Sequence, residues 1–446
     1  MYRDRHIIGD YSVFFAAPNE SDGLISWVYS YNEYFVSLYT QTVRSIKGLP
    51  DDYDSDIARQ LIKDFENDGI REVTAPVQYP NIIVIMNEAF SDLRVLGDFD
   101  TDAPFLKNWD ALDENVIRGW ANVSVLGGNT ANSEFEFLSS DTLGAFPSVV
   151  PYLQYFGAST EYLGLTSHLN NLGYETTAFH PYYANGWNRM QVYPAMGFEH
   201  TIFMDDVEKE YSLEKLRGYT TDSADYSVII DWFEKKRTAA PQFFFNITMQ
   251  NHSGYTEEGF KSTVHLTEAQ KGMFPQAEQY LSLVKCSDEA ITELLDFFGE
   301  YEEPVIVVIF GDHQPCLEPE FYEYVFGTSE NEWTDEQRLS MYKTPFIIWH
   351  NYEVEYQDLG DVSLNYLAAV MLKEVGIPLT EYQEYVLQLR KSYPVISGMG
   401  LVDAEGNYYS IDEEEYGINT EDYRTLIYNH TADQKNRLGN FYGMGD

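Results

Sequence analysis

Three apolar runs in this chain end on residues able to bind a metal or attack phosphorus. Ile82 to Met86 runs into Asn87-Glu88, Val305 to Phe310 into Gly311-Asp312-His313, and Phe243 to Met249 into Gln250-Asn251-His252. In an open parallel sheet, ligands gather beyond the carboxyl ends of the strands, so these junctions are where a site is expected. Glu88, Asp312 and His313 offer two carboxylates and an imidazole to one divalent cation, and manganese, magnesium and zinc all suit that donor set. Singly, Asp312 reads equally well as a turn cap and His313 as an ordinary loop histidine. The coincidence of strand ends is what favours a metal.

Two further stretches carry chemistry. Val125-Leu-Gly-Gly-Asn-Thr130 places a hydroxyl after a diglycine turn and before a helical pattern. Glycines let a backbone approach phosphate closely, and a helix N-terminus favours anionic charge. Thr130 is therefore a candidate nucleophile if a metal lowers its pKa, although Thr130 or Asn129 could equally serve as a plain helix cap. In Ala178-Phe-His180-Pro-Tyr-Tyr-Ala-Asn-Gly-Trp187-Asn-Arg189, a strand end leads into an aromatic loop. There Arg189 can fork onto phosphate oxygens, Trp187 can supply an apolar wall, and His180 can donate a hydrogen bond. A core position for Trp187 is the plainer alternative.

The elements that must position these residues follow an α/β pattern. The strand candidates alternate with helical stretches at Ser159 to Leu172, Ser223 to Lys236, Gln276 to Phe298 and Ser363 to Val375, which predicts a mostly parallel central sheet between helical layers. Pro345 to Trp349 is a further buried strand, and Thr176 to His180 a less certain one. Residues 1–75 are expected to be a helical arm, 76–385 the catalytic domain, and 386–446 a C-terminal extension packed on it.

Composition narrows the function. With 72 acidic against 28 basic side chains the formal charge is −44, which excludes nucleic acid as a partner and requires any phosphate chemistry to rest on local cations. Aromatics make up 16% of the chain, including 36 Tyr and 27 Phe, so a packed globular protein is expected despite the acidity. Cys286 and Cys316 form no CxxC or His/Cys cluster, which argues against a disulfide framework or a structural zinc site. No apolar run is long enough to span a bilayer.

Taken together, PNIIVIMNEAF, GGNTANSEFEFL, GYETTAFHPYYANGWNRMQVYPAMGF, NHSGY and GDHQP, in that order over roughly residues 75–375, resemble the lipoteichoic acid synthase and phosphoglycerol transferase family, sulfatase-like members of the alkaline phosphatase superfamily. The resemblance implies that Glu88, Thr130, Asp312 and His313 ligate one catalytic metal, commonly manganese, and that His180, Trp187, Arg189 and His252 surround the transferred group. It implies a covalent intermediate on Thr130, a phospholipid head group or glycerophosphate polymer as partner, and a site at the extracellular face of a bacterial membrane. Residues 1–75 resemble the arm that follows a membrane anchor in that family, so such an anchor is expected upstream.

Three alternatives compete. A true sulfatase uses a formylglycine made from Cys or Ser in a C/S-x-P-x-R setting, which neither cysteine has. Phosphoethanolamine transfer uses the same threonine and metal logic. An inactive domain that merely holds glycerophosphate or polymer is the reading from another class.

Overall fold

The computed structural model describes residues 53–67 and 78–443, apart from 147–148, 158–159, 236–238, 257–258 and 268. The expected N-terminal arm thus falls outside the described residues except at its end, where Ser55–Asn67 is a helix. From Asp54 onward the chain is one compact unit.

Its centre is an eight-stranded sheet. The strands in chain order are β1 (Asn81–Asn87), β2 (Val116–Asn122), β3 (Glu175–His180), β4 (His200–Phe203), a small separate hairpin of β5 (Lys215–Leu216) and β6 (Tyr219–Thr220), then β7 (Gln242–Ile247), β8 (Val305–Gly311), β9 (Lys343–His350) and β10 (Gln357–Ser363). The sheet order is β10-β2-β9-β8-β1-β7-β3-β4. β1, β7 and β8 are buried along their whole length, as continuous runs of branched and aromatic residues require when both faces are covered.

Side chains alternate between the two faces. Ile83, Ile85, Phe244, Val307 and Ile309 join a core with helices Asp222–Lys235 and Pro275–Gly299. On the other face, Phe245 and Phe310 meet Phe137 of the buried helix Thr130–Ser139, at ring separations of 6.1 and 4.9 Å.

The mostly parallel sheet holds with one exception. β9 runs antiparallel to both β2 and β8. Between β8 and β9 lie short helices at Pro319–Phe326 and Asp335–Ser340, which turn the chain back at the end where β8 finished instead of carrying it across the sheet. The helix expected from Ser159 begins only at Leu165. Gly164 caps it in an extended conformation, and a Cβ there would lie 2.5 Å from the Leu138 carbonyl oxygen.

Beyond the sheet, β11 (Val395–Ser397), β12 (Gly400–Val402) and β13 (Tyr408–Ser410) form an antiparallel layer, followed by helix Glu414–Ile427. This segment grips the exit of the Thr130 helix. Tyr423 donates to the Ser140 carbonyl (2.6 Å), and buried Asp141 accepts from the Tyr162 hydroxyl (2.9 Å), the Thr431 hydroxyl (2.5 Å), the Tyr382 hydroxyl and His430 Nδ1 (2.9 Å).

β8 ends on Gly311 because the backbone of Phe90 presses on it: a Cβ there would fall 1.8 Å from the Phe90 carbonyl oxygen. Gly311→Ala is expected to destabilise the protein by more than about 2 kcal/mol, since backbone must move to admit one methyl group. Urea unfolding of that variant at wild-type stability would show that the two turns are not in contact.

Candidate active site

The site begins with strand register. β1 and β8 pair in parallel with Asn87 opposite Gly311, so the next residues, Glu88 and Asp312, emerge side by side. Ala89, in a left-handed turn (φ 49), and His313 both donate their amides to Asp312 Oδ1, at 2.7 and 2.9 Å. The other oxygen, Oδ2, is buried without a hydrogen-bond partner. His313 Nδ1 faces the Gln314 carbonyl at 2.9 Å, which places the ring proton there and leaves Nε2 as a lone-pair donor. Nε2, also buried and without a hydrogen-bond partner, lies 3.3 Å from Asp312 Oδ2 and 3.6 Å from Glu88 Oε1.

One donor atom each from Glu88, Asp312 and His313 lies within 4.8 Å of the others, and all three residues are buried. Two carboxylates out of water beside each other are strongly unfavourable without a cation. The strain registers on Glu88, whose carboxyl is pushed up to about 8, first by burial and then by the charge of Asp312, against opposition from His313 and Thr130. Orphaned acceptors converging in a dry site fit a divalent metal.

Thr130 completes the cluster. Its hydroxyl donates to Glu88 Oε2 at 3.2 Å. The turn before it takes three successive positive φ values, at Gly127 (67), Gly128 (155) and Asn129 (66), of which the first two need glycine. Gly127 donates its amide to the Gln314 carbonyl (2.9 Å), and a Cβ on it would meet Cys316 Cβ at 2.7 Å. Ser133, one turn into the helix, donates to the Asp312 carbonyl (2.6 Å). The Thr130 loop and the Asp312 loop are therefore stitched together on both sides of Thr130. The helix has no acidic residue in its first turn, so its positive end is left for an anion.

The remaining predicted residues form a second layer. Buried Arg189 lies against the carboxylate of Glu134, with Nε at 3.0 Å from Oε1 and Nη2 also bonded to it, while Tyr193 donates to Oε2 at 2.9 Å. The edge of the guanidinium expected to fork onto phosphate is occupied by Glu134. Nη1 instead donates to His180 Nε2 at 3.2 Å, and His180 Nδ1 faces the Ile247 carbonyl at 3.0 Å. Burial, and then the charge of Arg189, hold His180 well below its ordinary pKa, so it is neutral. Arg189 still stabilises ionised Glu88 through space.

Trp187 is half-buried in a left-handed pair with Asn188 (φ 53 and 62), a conformation that costs non-glycine residues energy and recurs at ligand sites. His252 is half-buried, with its pKa lowered by burial and opposed in part by Asp312.

Sequence reasoning missed two supports. Glu134 follows Thr130 by four residues, an acid in a helix every residue of which is buried, and that pattern was the available signal. Behind Glu88, the Asn87 amide donates to Asp222 (2.9 Å) and to the Tyr226 hydroxyl (3.0 Å) and accepts from Asn251 (3.2 Å), which ties the ends of β1 and β7 to the start of helix Asp222–Lys235. Nothing local in the sequence pairs these residues.

Two expectations follow. Because Glu88 titrates near 8 in the folded chain against 4.5 as a free group, the folded state holds the extra proton between those values, and the metal-free protein loses stability as pH rises from about 4.5 to 8. Metal must displace that proton, so Mn2+ affinity by calorimetry should fall about tenfold per pH unit below 8, and the rise in melting temperature on adding Mn2+ should be larger at pH 8 than at pH 6. A pH-independent affinity removes Glu88 from the ligand set. Arg189→Ala leaves Glu134 buried and unpaired, with an expected loss of about 3 kcal/mol or more in denaturant unfolding, and Arg189→Ala combined with Glu134→Gln should recover part of it.

A family model described as Sulfatase matches residues 80–377. The solved Streptococcus pyogenes phosphoglycerol transferase GacH, in complex with sn-glycerol-1-phosphate, superposes with a TM-score of 0.65 at 19% identity, covering 89% of this chain and 99% of that one. The lipoteichoic acid synthase LtaP from Listeria monocytogenes does so with a TM-score of 0.57 at 16% identity, covering 85% and 98%. The lipoteichoic acid synthase of Staphylococcus saprophyticus is 25% identical over 296 residues, 64% of this chain and 42% of that protein. The chain spans about half the length of the curated relatives it matches.

Proposed function

The chain belongs to the Sulfatase family, and from that premise we propose that it is a divalent-metal-dependent phosphotransferase, which moves a phosphoglycerol-type group from a phospholipid head group to an alcohol acceptor through a covalent intermediate on Thr130. The observation that carries this reading is the Thr130 hydroxyl on Glu88, at the edge of three buried metal-type donors and at a helix N-terminus. Threonine at that place also speaks against a formylglycine sulfatase. GacH and LtaP, the similar structures, are a phosphoglycerol transferase and a lipoteichoic acid synthase, which supports the choice of group.

Glu88, Asp312, His313 and Thr130 would hold the metal, with manganese preferred. When bound, such an ion favours the Thr130 alkoxide and offsets charge on the phosphoryl oxygens. Glu88 Oε2 accepts the hydrogen bond from Thr130 and orients its oxygen toward phosphorus. Arg189 brings a fixed positive field to the same place, neutral His180 holds its remaining edge, and Trp187 would serve as a wall. His252, kept neutral by burial, is suited to taking the proton of the incoming alcohol. The reaction is assigned to the extracellular face of a bacterial membrane, where donor lipid is at hand. Among the described residues, no helix is long and apolar enough to cross that membrane.

The reading is tested with Mn2+ and a pair of donors, phosphatidylglycerol and phosphatidylethanolamine, followed by mass spectrometry of lipid and protein. Diacylglycerol should be released from phosphatidylglycerol, and Thr130→Ala should lower the rate by about a thousandfold or more while Thr130→Ser keeps part of it. A donor whose intermediate breaks down slowly should add its mass to the Thr130 peptide. Release at the wild-type rate from Thr130→Ala would make solvent the nucleophile. Preference for phosphatidylethanolamine would assign the other head group.

A further inference from the structure

The hydrogen bonds behind Glu88 converge on one carboxylate. Asn87 turns toward the helix layer, and Glu88, the next residue, toward Thr130. Asn87 Nδ2 donates to Asp222 Oδ2 at 2.9 Å, and its Oδ1 accepts from Asn251 at 3.2 Å. Asn251 Nδ2 also donates to Ser287 Oγ at 2.9 Å, and Ser287 donates in turn to Asp222 Oδ2 at 2.5 Å. These side chains close a ring, all of it fully buried, in which Asp222 is the member that only accepts.

The ring is tied down at both ends. Asp222 opens helix Asp222–Lys235, and its amide donates to Gln250 Oε1 at 3.2 Å. Asn87 gives its second amide proton to the Tyr226 hydroxyl (3.0 Å), so its side chain cannot turn over without breaking bonds on both sides. The main chain that follows is held as closely, with the Glu88 amide on Thr248 Oγ1 at 3.1 Å. Burial pushes the Asp222 pKa up, and the bonds from Ser287 and Asn87 oppose it. A buried charge is a costly way to join a sheet to a helix, since a neutral amide of the same shape avoids much of the desolvation. What the charge adds is stiffness, because hydrogen bonds to a carboxylate are shorter and stronger than those between neutral groups.

We propose that Asp222 is a positioning residue: through Asn87, its carboxylate fixes where Glu88 presents its oxygens to the divalent metal. This deepens the transferase reading and rests on its metal assignment. A metal site tolerates displacement of its donors by only about 0.5 Å, and Glu88 is joined directly to the residue that Asp222 holds. Asp222→Asn would either turn an NH2 group toward donors or leave one oxygen to serve them all, and the Asn87 amide would lose its fixed orientation.

The test measures Mn2+ binding to the full chain by calorimetry, with circular dichroism as the check on folding. Asp222→Asn and Asn87→Ala should each weaken Mn2+ binding by about tenfold, the scale on which groups that orient metal ligands act. Because one acts through the other, the double variant should bind no more weakly than the weaker of the two single variants. Asp225→Asn changes an equally buried acid one turn along the same helix, bonded to Asn246 at 2.9 Å, and should bind Mn2+ as the wild type does. If Asp222→Asn does not fold, Ser287→Ala takes its place, since it removes one donor and keeps the charge, with an expected loss of about threefold. Wild-type affinity in the folded variant, an equal loss in Asp225→Asn, or losses that add in the double variant overturn the proposal. Phosphatidylglycerol is then supplied to the wild type. Mn2+ bound with no donor consumed overturns the transferase reading and leaves the Asp222 assignment standing on metal binding. A wild type that binds no Mn2+ overturns both.

Discussion

Everything at this site depends on two carboxylates being forced together where water cannot reach them. Parallel pairing of β1 and β8 sets Asn87 opposite Gly311, and each strand then delivers one acid at the next residue. The packing of the Phe90 backbone on Gly311 fixes how close the two turns come. Glu88 and Asp312 cannot both ionise comfortably there, and the fold meets that cost by surrounding Asp312 Oδ1 with amides, orienting His313 through Gln314, and leaving the remaining donors to a cation. The site is preorganised by register and by backbone, with little left to side-chain choice.

Around it, charge is neutralised in pairs. Arg189 is balanced by Glu134 and shares its remaining edge with His180, so this buried cation is held in place and partly neutralised by the protein itself. Buried ion pairs of this kind contribute little net stability but hold geometry well. What they provide here is a positive field of fixed direction inside a protein whose overall field is strongly negative.

Much of this was legible in the sequence. Continuous apolar runs located β1, β8 and β9 within a residue or two, and polar residues at strand ends pointed to Glu88, Asp312 and His313 because parallel sheets open their sites there. Thr130 was legible from the diglycine and the helical pattern after it. The antiparallel sense of β9 was not, since direction is set by where the preceding helices return the chain. Nor was the Glu134–Arg189 pair, whose partners are far apart in sequence and meet only when the Thr130 helix packs beside the aromatic loop. The late start of the helix at Leu165 turned on the contact of Gly164 with the Leu138 carbonyl, which periodicity cannot register.

The knot at Asp141 has a bearing on how this chain can be cut. The family match ends at residue 377, and a boundary drawn there for expression would look natural. Yet Asp141 leaves the Thr130 helix fully buried, and three of its four hydrogen-bond donors, Tyr382, His430 and Thr431, lie beyond that boundary. A chain ended at residue 377 would carry a stranded carboxylate at the far end of the helix that begins at Thr130. A fragment that keeps this knot whole would run through Tyr442, whose ring stacks on His430 at 4.3 Å.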